Sequence, residues 1–460
     1  MKDLDNISNV YFLGIGGIGM SALARYFISV GKQVRGYDKT PTVLTRKLED
    51  EGIAIHFEDD VTLLDKNAEL IIYTPALPSG HSEYNYYKEN NYSILKRSDV
   101  LGLITKSSYN ICVAGTHGKT TTSAMIGHIF RHSGLGCTAF LGGIATNYNT
   151  NFWSSQNENN RKKICVVEAD EYDRSFLKLF PDVAVITAMD ADHLDIYGTA
   201  EKLEEAFIEF GGQVKTGGLL ILKHGLLRSS KFSSANKMTY SMNNNAAGAF
   251  AENIRLQSGS YVFDAVINQD CIKDVELNMG GMHNIENVMS AIAVSKFVGI
   301  TGEKIKAAVT AFRGVKRRFE YIIKRENVVM IDDYAHHPEE LRALITGAKE
   351  LFPEMQCTVI FQPHLFSRTK DFADGFAEVL SLSDNIILLP IYPAREKPME
   401  GVNSELIMGK MKNRNVQVLD KVNLLNEIKT HKRGLLITAG AGDIDMLVEP
   451  LSQILNGTQI

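Results

Sequence analysis

Short apolar runs that end in glycine alternate along this chain with stretches of helical periodicity. Val10–Leu13 is apolar and β-leaning, and it runs into Gly14-Ile15-Gly16-Gly17-Ile18-Gly19 before a predicted helix over Met20–Val30. Gln33–Tyr37, ending at Asp38, and Ile71–Thr74, closed by Pro75, read as further strands. Ile111–Ala114 is the next, followed by the turn Gly115-Thr116-His117-Gly118. A helix then starts at Lys119, with Met125, Ile126, Ile129 and Phe130 at helical spacing and Gly134 as its stop. Lys163–Val167, Val183–Met189 and Val214–Leu222 read as strands, the last leading into a peripheral insert that ends near Asn243, and a helix follows Gly280. The remainder predicts strands at Val328–Ile331, Cys357–Phe361, Ile386–Pro390 and Gly434–Thr438, with a helix over Glu339–Leu351. This is βαβ grammar, used three times without repeated sequence. It predicts an α/β protein of parallel sheets with ligand groups at the C-terminal strand ends, in segments 1–105, 106–313 and 314–460.

The middle segment carries the most specific chemistry. A strand, a glycine turn and Gly118-Lys119-Thr120 at a helix start form a phosphate cradle. Backbone N–H groups and the positive helix end face the anion, the Lys119 ammonium reaches the outer phosphates, and the Thr120 hydroxyl suits Mg²⁺. The loop departs from the standard pattern, since Val113 stands where the first glycine belongs. Two acidic strand ends follow: Glu168, Asp170, Glu171 and Asp173, then Asp190, Asp192, His193 and Asp195. Hard oxygen donors downstream of a phosphate loop suit Mg²⁺, with Glu168 as its expected partner. Asn284 and Asn287 lie near one face at a helix start, where an asparagine is as readily a cap as a ligand. In the first segment, the glycine run with Asp38 about twenty positions on fits the dinucleotide fingerprint. By itself it leaves NAD open. The turn Gly440-Ala441-Gly442 reads as a tight connection.

Composition narrows the class. A length of 460 residues suits about three domains. Contents of 44% hydrophobic and 22% charged residues are those of an ordinary globular chain. A net charge of −5 advertises no nucleic-acid or anionic-membrane surface. No apolar run approaches the ~18 residues of a membrane span, and the N-terminus lacks a signal-peptide core, so a cytoplasmic location is expected. The five cysteines are scattered without a C-x-x-C pair, and Cys112 and Cys165 read as buried thiols.

Eight stretches occur in order: GIGGIGMS, AGTHGKTTT, EADEYD, DADHLDIYG, GMHNIENV, GVKRRFE, DDYAHHP and FQPHLFSRT. Together they resemble the Mur ligases of peptidoglycan synthesis, specifically the alanine-adding branch, over nearly the whole chain. The resemblance implies a Rossmann-like N-terminal domain for a UDP-sugar, a central P-loop ATPase-type domain, and a Rossmann-like C-terminal domain that closes on ATP and the amino acid. The implied reaction joins L-alanine to the lactyl carboxylate of UDP-N-acetylmuramate through an acyl phosphate, giving ADP and phosphate. Its cofactors are ATP and Mg²⁺.

By the same resemblance, Gly14, Gly16, Gly17 and Gly19 hold the UDP pyrophosphate, with Asp38 near the nucleoside. Gly115, Thr116, His117, Gly118, Lys119, Thr120 and Thr121 cradle the ATP phosphates. Thr120, Glu168 and His193 serve the metal, and Asn287, Arg318 and Asp333 contact ATP. Tyr334, His336, His364 and Arg368 form the alanine pocket, and Lys119, Arg318 and His336 are the implied catalytic groups. Many sister ligases carry a metal-bridging carbamylated lysine where this chain has Phe207. The alternatives are a recycling ligase that attaches a preformed peptide to the same sugar nucleotide and, more distantly, an NAD-dependent oxidoreductase.

Overall fold

The computed structural model describes residues 4–154, 163–190, 194–394, 396–412, 415–429 and 433–457. The chain divides into two compact units. The first contains Met1–Glu252, Asp264–Lys273 and Glu286–Val309; the second contains Asn253–Phe263, Asp274–Ile285 and Thr310–Ile460.

Two sheets build the first unit. Strands β1 (Asn9–Leu13), β2 (Gln33–Tyr37), β3 (Ala54–His56), β4 (Leu70–Tyr73) and β5 (Ile94–Lys96) lie parallel in the order β3-β2-β1-β4-β5. The second sheet contains β6 (Tyr109–Ala114), β7 (Thr138–Ala145), β8 (Thr150–Trp153), β9 (Ile164–Glu168), β10 (Val183–Ile186), β11 (Leu219–Lys223) and β12 (Lys237–Ser241). Their order is β12-β11-β10-β6-β9-β7-β8, parallel except for β8. β6 is therefore flanked by β9 and β10, with Val113 opposite Glu168 and Ala114 opposite Ile186. Four or more fully buried apolar residues in succession, as in Ile111–Ala114, are what a strand covered on both faces requires.

The first predicted segment and most of the second share this unit, with one core running from Ile7 to Phe232, whereas Asn253–Phe263, Asp274–Ile285 and the end of the second segment from Thr310 fall in the other unit. The helix Ile18–Ser29 sets Tyr26 against Phe140 and Phe152, with ring centroids 5.5 and 6.3 Å apart. The fully buried Asn151 donates to Ile18 O at 2.6 Å and Ser21 Oγ at 3.0 Å and accepts from Arg25, so its amide is satisfied. Two expectations change. The strand predicted from Val214 begins only at Leu219, because Gly217, at φ +81°, turns the chain just before it. The polar stretch read as a peripheral insert contains β12, which pairs with β11 inside the sheet.

β13 (Ala249–Gln257), β14 (Ser260–Ile267) and β15 (Asp270–Leu277) follow, their residues divided between the units. In the second unit, β16 (Glu320–Lys324), β17 (Val328–Asp333), β18 (Cys357–Phe361), β19 (Asn385–Leu388), β20 (Val416–Val418) and β21 (Gly434–Ala439) order as β16-β17-β21-β18-β19-β20. Only β16 is antiparallel among these pairs. The register places the ends of β17, β21 and β18 side by side. No helix among the described residues is long and apolar enough to cross a membrane.

Candidate functional site

In the first unit the loop after β6 is built by its neighbours. Gly115 sits at φ +135°, and a Cβ there would lie 2.1 Å from Thr187 Oγ1, so glycine is required on both counts. Thr187, just past β10, donates to Ala114 O at 3.1 Å and to His117 O, while its own N–H donates to Ala114 O at 2.9 Å. Thr116 N–H reaches Ala188 O at 3.2 Å, and its hydroxyl accepts from Asp190 N at 3.1 Å. Gly118, at φ +81°, opens the helix Lys119–His132, and the buried Asn287 amide lies 2.7 Å from where its Cβ would be. Asn287, expected to contact ATP, lies against the phosphate loop. Thr121 is buried beneath the loop, whereas the His117 side chain is mostly exposed with Asp190 Oδ2 at 4.0 Å.

Thr120 Oγ1 donates to Glu168 Oε1 at 2.9 Å, and Gly142 N–H donates to Glu168 Oε2 at 2.9 Å. Burial pushes the Glu168 carboxyl above its ordinary pKa, against the pull of the Lys119 charge. Lys119 Nζ donates to Gly115 O at 2.7 Å and to Glu171 Oε1 at 2.8 Å. His193 lies outside the described residues. Among the described residues, no group of three or more His, Cys, Asp and Glu side chains gathers around one point. Phe207 is fully buried, edge-on to Phe176 at 5.2 Å, so its position is part of the core.

A cavity of about 330 Å³ is lined by Gly17, Ile18, Gly19, Arg97, Glu168 and Asp170 among others. It brings the first glycine run and the acid beside the phosphate loop to one space. Arg97, absent from the sequence reading, has Nη1 2.9 Å from where a Gly19 Cβ would stand, and Nη2 3.2 Å from Asp170 Oδ2. Asp38, expected near a nucleoside, turns both carboxylate oxygens to backbone: it accepts from Gly16 N at 2.7 Å and Thr40 N at 3.2 Å. It shapes the glycine turn in this structure.

The second unit carries its own strand-end cluster. Arg318 is held between Arg317 and Phe319, both non-glycine residues at positive φ (+59° and +48°). Asp333 stabilises that turn, accepting from Phe319 N at 2.6 Å and Ala335 N at 2.7 Å, so its carboxylate serves as a backbone clamp here. Burial lifts its pKa to about 6. The Arg317 and Arg318 guanidinium carbons lie 5.0 and 5.9 Å from the Tyr334 ring centre. Tyr334 meets His336 at 5.2 Å, His336 meets His364 at 6.2 Å, and Tyr392 stacks on His364 at 5.8 Å.

His336 Nδ1 faces Tyr334 O at 2.9 Å, so it carries the proton and Nε2 presents a lone pair. Arg368 Nη1 donates to His364 Nδ1 at 3.3 Å, which assigns the opposite tautomer to His364. Burial lowers both histidine pKa values. Gly440, by contrast, accepts from Arg317 and donates to Asp333 O, which keeps its turn structural as expected.

A strand-end phosphate loop, a helix N-terminus and an adjacent half-buried acid define a nucleotide-binding α/β protein of the P-loop kind. The chain belongs to the Mur ligase family: residues 9–109 match the Mur ligase family catalytic domain, 113–295 the middle domain, and 317–444 the glutamate ligase domain. It is 48% identical to the UDP-N-acetylmuramate–L-alanine ligase of Flavobacterium johnsoniae, covering 99% of both chains. The solved UDP-N-acetylmuramate–alanine ligase of Thermotoga maritima superimposes with a TM-score of 0.82 at 27% identity, over 98% of this chain and all of that one. A murein peptide ligase of Psychrobacter arcticus shares the fold, with a TM-score of 0.67 at 22% identity over 98% of this chain and 100% of that one.

Proposed function

We propose that the protein is a cytoplasmic enzyme that uses ATP to join L-alanine to the lactyl carboxylate of UDP-N-acetylmuramate. The carrying observation is the corner formed by Lys119, Thr120 and Glu168, whose Glu168 lines the cavity shared with the first glycine run. The activity named for relatives over the full chain supports the substrates. In this reading residues 1–105 bind the sugar nucleotide, 106–313 bind ATP, and 314–460 serve the amino acid and ATP.

The carboxylate attacks the γ-phosphorus, ADP departs, and an acyl phosphate forms. The alanine amine then attacks the acyl carbon, and phosphate leaves from the tetrahedral intermediate. Two anions meet in the first step, so Lys119 and Arg318 neutralise charge that develops on the phosphoryl oxygens. The backbone amides from Gly115 to Thr121 fix the phosphates, and Asn287 supports that loop. The donors fit Mg²⁺: Thr120 and Glu168 offer hard oxygens 2.9 Å apart, and a cation opposite the half-buried Glu168 would favour its ionised form. Held there, Mg²⁺ would supply neutralisation of phosphate charge. Arg368 receives the alanine carboxylate through its planar fork, and His336 Nε2 accepts the ammonium proton.

The test is an assay of all three substrates with product mass, running L-alanine and a tripeptide in parallel. Expected is an alanine adduct of the sugar nucleotide, with ADP and phosphate formed in equal amounts and only when both acceptor substrates are present. Preference for the tripeptide favours the recycling reaction. Phosphate release independent of either substrate overturns the proposal.

A further inference from the structure

The phosphate-loop lysine already has an anion. Lys119 Nζ spends one donor on Gly115 O and a second on Glu171 Oε1, and Glu171 is only 1% exposed. An ammonium has three donors, so one is left for phosphate. The loop that presents Glu171 is fixed on both sides. Glu171 O accepts from the buried Tyr197 hydroxyl at 2.6 Å and from Arg174 N at 3.0 Å. Asp173 and Arg174 sit at φ +52° and +53°, a strained turn two residues on. Asp170 pairs with Arg97 at 3.2 Å, Asp173 with Lys96 at 3.1 Å, and Lys178 with Asp99 at 2.5 Å.

We propose that Glu171 is the positioning residue for Lys119: its fixed carboxylate aims the ammonium and partly offsets its charge, so the triphosphate is held more loosely than the lysine alone would hold it. The offset lets ADP leave after transfer. This rests on the ATP reading of the loop. Two like charges, carboxylate and phosphate, then share one cation at short range, where the medium screens them poorly.

The experiment measures ATP, ADP and adenosine binding by calorimetry with the full chain, as wild type and as Glu171→Gln. The charge-neutral variant keeps the side-chain shape. Expected is a dissociation constant for ATP and ADP about tenfold lower than wild type, adenosine unchanged, and a lower kcat. A residue that only supports the loop gives the opposite sign, weaker ATP and ADP binding, and that result overturns the proposal, as does no change. Glu171→Asp is the second variant, for the case in which Glu171→Gln does not fold: withdrawing the carboxylate by one methylene is expected to tighten ATP and ADP by a smaller factor, with unchanged or weaker binding counting against the proposal. Failure of the wild type to bind ATP at all sinks the loop assignment instead, which separates the two claims.

Discussion

The two strand-end clusters solve the problem of exposed positive charge in opposite ways. Beside the phosphate loop each cation has a carboxylate: Lys119 has Glu171, and Arg97 has Asp170. In the second unit the Arg368 guanidinium donates instead to the neutral imidazole of His364. The difference matches the size of the expected anions. A triphosphate would bring several charges, so a lysine shared with a carboxylate would hold it and still release product. An amino-acid carboxylate brings a single charge, so its arginine is not offset by a carboxylate.

The sharpest way to break this contrast is at the lysine. Lys119→Ala is expected to lower ligation by at least ~10²-fold, the scale of removing a key electrostatic group, as read by phosphate release with all three substrates. Near-wild-type turnover removes the loop from the reaction. On the other side of the contrast, Arg368→Ala is expected to raise the KM for alanine at least ~10-fold while that for ATP changes little. Equal effects on both take Arg368 out of the alanine pocket.

The neutral imidazole gives a smaller, pH-dependent effect. Burial lowers the His336 pKa below the ordinary 6.5, so the ring is a free base at neutral pH and loses that role only as pH falls past its lowered value. The acidic limb of kcat is expected below 6.5 in the wild type and altered in His336→Gln. A limb at or above 6.5 contradicts the assignment.

The smallest effect concerns stability. Asp332 is buried, accepts from Thr438 Oγ1 at 2.6 Å, and has its pKa raised by burial from 3.8 to about 7. Its folded value lies above the unfolded one, so its contribution is complete below 3.8 and is lost as pH rises toward 7. Denaturant melts of Asp332→Asn against wild type are expected to show a flatter decline across that window. Parallel curves contradict the raised pKa.

Much of this was legible in the chain because it is local. The strand Cys357–Phe361 was read to the residue, and the Gly118-Lys119-Thr120 helix start needed only a glycine, a periodicity and a stop. What escaped depends on distant partners. Nothing near Lys119 announces Glu171, 52 residues on, and nothing near Gly19 announces Arg97; each meets its partner only once parallel strands align their ends. Thr187 and Tyr392 were missed for the same reason: each supports a loop from the end of another strand. Asp38 and Asp333, expected from the family resemblance to lie near ligands, each also accept from backbone amides here, which the chain alone does not reveal. A short acid after a strand bonds its own turn as readily as a ligand.

The most direct test follows an oxygen. With ¹⁸O in the lactyl carboxylate of UDP-N-acetylmuramate, attack on the γ-phosphorus puts one of those oxygens between carbon and phosphorus, and expulsion by the amine carries it away on phosphate. The account predicts one ¹⁸O in each phosphate released during ligation. Unlabelled phosphate, with both labelled oxygens absent from it, contradicts phosphoryl transfer from the lysine corner to the carboxylate.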